Sequence, residues 1–239
     1  MGASLKAVLF DLDGTLLIND MRRVFLPRYF ELLSAQAAGV MPRDEFLARL
    51  MRATQAMVAN DGRATNKAVF DAAFFPLPGD RSDAEWAAVF DRFYEVEFPK
   101  LHPYAEAAPD ARRVVQRAFD LGYQVAVATN PLFPEAAIRQ RLEWAGVGDL
   151  PFEWVTHYEN SRAAKPNLLY FQQILAELGC AAEESLMIGD EEMDMVAAQL
   201  GCATFWIEQP GIELDAKIPE PTYRGALSDV IPVLEERSG

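Results

Sequence analysis

The second half of the chain alternates between helical patterns and short apolar runs, and this alternation restricts the fold more than any other feature. Four times after Pro109, a segment with apolar residues at helical spacing precedes a short, mostly apolar run. The pairs are 110–121 with 123–128, 134–145 with 152–155, 167–178 with 185–188, and 193–200 with 203–207. Such alternation is typical of right-handed crossovers and of a parallel sheet buried on both faces. The sequence therefore predicts an α/β fold with a Rossmann-like parallel sheet.

The beginning of the chain supplies a further strand, which ends in two carboxylates. The apolar run Val8-Leu9-Phe10 is followed by Asp11 and Asp13, and Gly14 permits a turn directly after them. Alternation along an extended chain places both side chains on one side. Two like charges at this distance repel each other, and a bound cation or a proton on one of them relieves that cost. An Asp-Gly turn after a strand is also common without any function, so this pattern alone leaves both readings open.

A block of helical pattern separates this first strand from the alternating half. Its segments are 22–38, 43–59, 65–75 and 82–98, and they are divided by glycine- and proline-containing breaks. Ser82 followed by Glu85 is typical of a capping box at the start of the last segment. We therefore predict an α/β core of residues 1–18 and 100–239, with an all-helical cap of residues 19–99 inserted into it.

Composition and charge exclude several classes of protein. With 239 residues, of which 51% are hydrophobic, the chain can bury a full core, and no apolar run approaches the roughly 20 residues that cross a bilayer. Its net charge of −14 argues against nucleic acid as a partner, because that binding needs a basic surface. The N-terminus lacks the pattern of a signal peptide. We therefore expect a cytoplasmic protein without membrane or nucleic-acid contacts, and the sequence leaves its oligomeric state open.

Three further polar motifs follow apolar runs in the alternating half. They are Thr129-Asn130 after the run 125–128, Lys165-Pro166 after the run 152–155, and Gly189-Asp190 with Asp194 after the run 186–188. Because ligands of open parallel sheets bind at the carboxyl ends of the strands, we expect these motifs to converge with Asp11 and Asp13.

These four motifs in this order resemble those of the haloacid dehalogenase superfamily. The superfamily has Asp-x-Asp-Gly-Thr, then Thr or Ser, then Lys, then an acidic Gly-Asp-x-x-x-Asp motif, and the match extends here from Asp11 to Asp194. The helical block also stands where one type of the superfamily carries a helical cap. Because Asp13 occupies a position where dehalogenases and phosphonate hydrolases of the superfamily lack aspartate, the resemblance favours phosphate-ester chemistry over cleavage of a carbon–halogen bond.

The resemblance implies a role for each catalytic motif. Asp11 would attack phosphorus and form an aspartyl phosphate, and Asp13 would act as general acid and then as general base. Thr129 and Asn130 would bind the phosphoryl group through hydrogen bonds, and Lys165 would neutralise the negative charge shared by Asp11 and the phosphate.

The resemblance also implies a magnesium site. The ligands would be the Asp11 carboxylate, the main-chain carbonyl of Asp13 and the Asp190 carboxylate. Asp194 would bind through a metal-bound water or orient it. Oxygen ligands of this kind are the ones that Mg²⁺ prefers.

The expected function is a magnesium-dependent phosphomonoesterase acting on a small soluble phosphorylated metabolite. A phosphosugar mutase or other phosphotransferase that uses the same aspartyl phosphate is an alternative, as is a non-enzymatic relative that only binds a ligand. Most aromatic residues of the cap are expected in its core, with a few facing the substrate. Candidates for binding a second anionic group are the basic residues Arg22, Arg23, Arg28, Arg52, Arg63 and Lys67, although any one of them is more often part of a solvated helix face.

Overall fold

The computed structural model describes residues 4–238 and contains a six-stranded parallel sheet with the strand order β5-β4-β1-β6-β7-β8. The strands are β1 Ala7–Phe10, β2 Leu17–Asn19, β3 Ala105–Ala107, β4 Gln124–Val127, β5 Trp154–Val155, β6 Ser185–Gly189, β7 Ala203–Ile207 and β8 Tyr223–Gly225. The α-helices are α1 Leu26–Ala35, α2 Arg43–Val58, α3 Asn66–Phe74, α4 Asp83–Val96, α5 Ala111–Asp120, α6 Glu135–Trp144, α7 Leu168–Leu178, α8 Glu192–Met195 and α9 Val230–Arg237. The predicted α/β fold with a parallel sheet and a helical insertion is confirmed.

Helices cover both faces of the sheet. On one face Val8 and Phe10 of β1 belong to a buried cluster with residues of α5, α6 and α9, and on the other face Ala7 and Leu9 pack with residues of α7. All four side chains of β1 are buried. A strand that is buried on both sides is apolar at every position, which is why its sequence is a continuous apolar run.

The helical insertion has its own aromatic core. It comprises a π-helical turn at Met21–Phe25, the helices α1 to α4, and a 3₁₀ helix at Phe98–Tyr104. The predicted capping box of Ser82 and Glu85 is present at the start of α4. The antiparallel strands β2 and β3 connect the insertion to the sheet. The domain boundaries between residues 18 and 19 and between residues 99 and 100 stay a prediction. Residues 1–3 and 239 of the predicted core lie outside the described part of the chain.

The core and the insertion also pack against each other through α6. Trp144 of α6 stacks on Phe98 with ring centroids 5.5 Å apart, and Ala137 belongs to the same buried cluster as the aromatic residues of the insertion. Because α6 also packs on the sheet through Ile138 and Leu142, it is buried on two sides.

Two predicted helices differ from the structure, and the sequence pattern missed the last elements of the fold. The segment 22–38 begins as a π-helical turn and its α-helix ends at Ala35, and the segment 193–200 is a short α-helix followed by a 3₁₀ helix at Val196–Leu200. Strand β8 and helix α9 were not predicted. Within residues 4–238, no helix has the length and apolar character that crossing a membrane requires.

Candidate active site

All the predicted site residues except the buried Asp194 line one cavity at the carboxyl ends of neighbouring strands. Asp11 and Asp13 follow β1, Thr129 and Asn130 follow β4, and Asp190 follows β6. These strands are adjacent in the sheet, because β1 lies between β4 and β6. All five residues line a cavity of about 670 Å³, together with Lys165. The expected convergence of the four motifs is therefore seen in the structure.

Lys165 forms ion pairs with two buried carboxylates. Its Nζ atom donates to Asp11 Oδ1 at 2.7 Å and to Asp194 Oδ1 at 2.5 Å. Burial alone would lower the pKa of Lys165, but the negative charges of Asp11 and Asp194 raise that pKa well above its usual value. Lys165 is therefore an ammonium ion whose position is fixed between the ends of β1 and β6.

Three carboxylates gather more negative charge than this lysine balances. Asp11, Asp190 and Asp194 each offer an oxygen atom, and these atoms all lie within 4.8 Å of one another. Burial, and after it the charge of Asp194, raises the pKa of Asp190 to about 7. Burial also raises the pKa of Asp11 well above its usual range, despite Lys165, and the charges of Asp194 and Asp190 add to this effect. A cluster of carboxylate oxygens with excess negative charge fits a hard divalent cation.

Two glycines allow these carboxylates to come together. A Cβ atom at Gly14 would collide with the Asp190 carboxylate, and one at Gly189 would collide with the Asp194 carboxylate. Gly14 also has a φ angle of +85°, a conformation that L-residues with side chains rarely adopt. Glycine is therefore required at these two positions because any side chain would collide with a carboxylate of the site.

Two residues that the sequence did not assign hold Asp190 in place. Thr15 Oγ1 donates to Asp190 Oδ1 at 3.0 Å, and Gln209 Nε2 donates to Asp190 Oδ2 at 2.6 Å. Thr15 belongs to the first motif, whereas Gln209 comes from the loop after β7. The orientation of Asp190 therefore depends on three separate parts of the chain.

Asp13 lies at the same cavity but its carboxylate is outside the three-carboxylate cluster. Arg141 Nη1 donates to Asp13 Oδ2 at 2.5 Å, and Asn19 Nδ2 donates to Asp13 Oδ1 at 2.8 Å. The Arg141 side chain is 1% exposed, and its guanidinium carbon lies 4.6 Å from the ring centroid of Phe133. Asp11 and Asp13 thus have different surroundings although one residue separates them.

Arg141 is the main site residue that the sequence analysis missed. It lies on α6 in a stripe with Ile138 and Leu142, at the helical spacing of buried residues. A charged residue in an apolar stripe is rarely buried without a partner. This signal was available in the sequence, but the partner, Asp13, is 128 positions away.

Hydrogen bonds from two buried side chains stabilise the loop after β4. The carbonyl oxygen of Thr129 accepts hydrogen bonds from Thr156 Oγ1 at 2.7 Å and from the Tyr170 hydroxyl at 2.8 Å. The neighbouring Asn130 Nδ2 contacts Met193 Sδ at 3.7 Å. Thioether sulfur is a weak acceptor, so a phosphate oxygen would replace it readily.

The insertion contributes more aromatic residues to the cavity than expected from the sequence. The aromatic residues of the insertion that line the cavity are Tyr29, Phe30, Phe70, Phe74, Phe75, Phe90 and Tyr94. Among the six basic candidates, Arg22 and Lys67 line the cavity, and the other four do not. The aromatic residues of the insertion form its core as expected, and more than a few of them also line the cavity.

Comparisons with known proteins show the family and the fold of this chain. The family model of the haloacid dehalogenase-like hydrolases matches residues 5–201. A phosphoglycolate phosphatase of Rhodospirillum rubrum is 29% identical over 196 residues, which are 81% of this chain and 75% of that protein. A 2-haloacid dehalogenase from Pseudomonas syringae pv. tomato has a similar structure, with a TM-score of 0.65 and 20% identity over 98% of this chain and 100% of the other. A phosphatase of the same superfamily from Thermococcus onnurineus has a TM-score of 0.59 and 22% identity over 96% and 98% of the two chains.

Proposed function

Since the chain belongs to the haloacid dehalogenase-like hydrolases, we propose that it is a magnesium-dependent phosphomonoesterase that hydrolyses a phosphorylated small molecule through an aspartyl phosphate on Asp11. One observation above all supports this function. The carboxylate of Asp13 lies outside the three-carboxylate cluster yet lines the same cavity as Asp11. One carboxylate is thus available for attack while another is available for proton transfer.

The first half of the reaction forms the aspartyl phosphate. The Asp11 carboxylate attacks phosphorus in line with the ester oxygen, so a new carboxylate–phosphorus bond forms as the phosphorus–ester bond breaks. Protonated Asp13 gives its proton to the departing oxygen, which leaves as an alcohol. Arg141 and Asn19 hold Asp13 in position for this transfer.

The second half releases phosphate. Asp13, now a carboxylate, takes a proton from water as the water oxygen attacks phosphorus, and the bond between Asp11 and phosphorus breaks. Inorganic phosphate leaves, Asp11 is again a carboxylate, and Asp13 is again protonated. The second half thus restores the Asp11 carboxylate and the proton of Asp13 that the first half consumed.

Positive charge is needed because an anionic carboxylate must approach an anionic phosphate. Lys165, which lies beside Asp11, would supply one such charge, and Thr129 and Asn130, which line the same cavity, would donate hydrogen bonds to the phosphoryl oxygens. Mg²⁺ would be held by the carboxylates of Asp11 and Asp190 and the carbonyl of Asp13, with Asp194 beside them, and would supply further neutralisation when bound.

Release of inorganic phosphate from simple phosphate esters tests this proposal. The esters include phosphoglycolate, which the name of the Rhodospirillum rubrum relative suggests. We expect release that requires magnesium and yields one phosphate for each ester consumed, whereas a phosphotransferase would consume ester without equal release. Asp11→Asn should lower the rate by more than about a hundredfold, since loss of a nucleophile costs several decades. The matched control Asp80→Asn, at an exposed loop residue, should leave the rate unchanged. Activity of Asp11→Asn near the wild-type rate would contradict the proposal.

A further inference from the structure

The cavity that opens from Asp11 is much larger than a phosphoryl group requires. Its volume is about 670 Å³, within the range of sites that enclose a drug-sized ligand. At roughly 30 Å³ for each water-sized group, it has room for about twenty such groups. Phosphoglycolate would leave more than half of this space without contacts.

The part of the cavity that the insertion forms is mostly apolar, although Thr54, Lys67, Asp71 and Asp91 also line it. It is formed by all four α-helices of the insertion, through side chains that include Leu26, Leu33, Leu50, Phe70, Phe74 and Phe90. Tyr29 and Tyr94 also line the cavity, and their hydroxyl groups lie 2.8 Å apart and hydrogen-bond to each other.

Two of the three cations that line the cavity form ion pairs with carboxylates. Lys165 is bonded to Asp11 and Asp194, and Lys67 Nζ lies 2.5 Å from Asp71 Oδ2. The third cation, Arg22, is exposed and forms no ion pair with a carboxylate of the described residues.

The insertion also contributes acidic residues to the lining of the cavity. Asp71 and Asp91 both line the cavity; Lys67 balances the charge of Asp71, whereas Asp91 would repel a second anionic group on a substrate. A carboxylate such as that of phosphoglycolate would therefore meet, among the described residues that line this cavity, the exposed Arg22 as the one cation without an ion pair.

From the volume of the cavity and its apolar walls, we propose that the substrate is a phosphate monoester of a bulky, largely apolar alcohol, whose organic group fills the space between the helices of the insertion. This inference rests on the proposed phosphomonoesterase function, and it adds the chemical class of the group that leaves. The phosphate would lie at Asp11 and Lys165, and the organic group would contact Leu50, Phe74 and Phe90.

A series of n-alkyl phosphates tests this inference without changing the chemistry. Ethyl, butyl and hexyl phosphate release alcohols of nearly equal acidity, so differences in kcat/KM report contacts of the chain. If the chain enters the apolar region, kcat/KM should rise about three- to fourfold for each added methylene. Hexyl phosphate should also exceed phosphoglycolate. A flat or falling series, or preference for phosphoglycolate over hexyl phosphate, would overturn the inference.

Neighbouring residues of α2 offer a matched pair of variants. Thr54 lines the cavity, whereas Gln55 is exposed and does not. Thr54→Phe should therefore lower the ratio of kcat/KM for hexyl over ethyl phosphate at least tenfold, and Gln55→Phe should leave that ratio unchanged. Equal ratios in the two variants would contradict the inference.

A second variant tests the charge argument. Met51 also lines the cavity and is 39% exposed, so that Met51→Arg should be tolerated by the fold. The added cation should raise kcat/KM for phosphoglycolate relative to hexyl phosphate. If the added cation leaves this preference unchanged, the proposed position of the organic group is wrong.

Binding measurements separate this inference from the proposed function. If none of the esters releases phosphate, the phosphomonoesterase function is wrong, whatever the cavity binds. Calorimetric titration of the protein with ethyl and hexyl phosphate in magnesium then decides the inference alone. Tighter binding of the longer ester supports an apolar subsite, and equal or weaker binding overturns it.

Discussion

Replacing Asp190 by asparagine should stabilise the metal-free protein and remove most of its response to magnesium. Burial raises the pKa of Asp190 to about 7 from the usual 3.8. A carboxyl group with a raised pKa stabilises the folded state at low pH, and this contribution is lost as the pH rises through the folded-state pKa. A shift of about three units at 1.36 kcal/mol each means that the ionised group costs the folded state about 4 kcal/mol above pH 7.

Asparagine avoids this cost and keeps part of the hydrogen bonding. Its oxygen can still accept from Thr15, but its amide would meet the donor of Gln209, and loss of that bond costs about 1 kcal/mol. The net gain in the free energy of unfolding at pH 8 is then about 2 to 3 kcal/mol. At about 2 to 4 °C for each kcal/mol in a protein of this size, the Tm should rise by about 5 to 10 °C.

Magnesium should raise the Tm of the wild type more than that of the Asp190→Asn variant. A ligand at a hundredfold excess over its Kd stabilises the folded state by about 2.7 kcal/mol, so the wild-type Tm should rise by about 5 to 10 °C. The Asp190→Asn variant, which lacks one ligand charge, should rise far less.

Thermal unfolding followed by circular dichroism at pH 8 checks both parts of this prediction. The two proteins are compared with a chelator and through a magnesium titration. Glu208→Gln, which removes a charge from an exposed residue near Gln209, is the control and should behave like the wild type. A metal-free Asp190→Asn variant that melts below the wild type, or one that gains as much Tm from magnesium, would refute the reasoning.

Three further predictions concern the other charged groups of the site. The free energy of unfolding of the metal-free wild type should fall between pH 5 and pH 8, because the pKa values of Asp11 and Asp190 are raised in the folded state, and saturating magnesium should weaken this dependence in pH-dependent melting curves. Asp13→Asn should lower kcat by about two decades or more for alkyl phosphates and by much less for 4-nitrophenyl phosphate, whose leaving group needs little protonation, and phosphate-release assays compare the two. Arg141→Met should lower kcat about tenfold or more with little change in KM or Tm, as steady-state kinetics and melting curves would measure. The Tm should change little because two of the three guanidinium nitrogens of Arg141 are buried without hydrogen-bond partners among the described residues, and methionine removes this incompletely satisfied group.

The sequence predicted the strands and helices that are determined by residues close to one another in the chain. Strands β1 and β6 are buried on both faces, so they are continuous apolar runs, and the polar residues that follow them are easily recognised. Helix α4 has its capping box within four residues of sequence. The positions of Asp11 and Asp190 followed from these elements.

The elements that were missed depend on distant contacts. Strand β8 has three residues at an edge of the sheet, and none of them is fully buried, so it has no apolar pattern. Arg141 and Gln209 act on carboxylates far away in the sequence, and their residue types do not identify those partners. The aromatic residues of the insertion have the same helical spacing whether they face its core or the cavity, so periodicity could not separate the two.

The most direct test of the account is to trap the phosphorylated enzyme and locate the phosphoryl group. Asp13→Asn is mixed with 4-nitrophenyl phosphate and magnesium, quenched in acid within its first turnover, digested, and analysed by mass spectrometry. The account predicts one added phosphoryl group on Asp11, formed and lost at rates that match turnover, and none in a variant that also carries Asp11→Asn. Turnover without phosphorylation of Asp11, or a phosphoryl group on another residue, would contradict the proposal that Asp11 is the nucleophile.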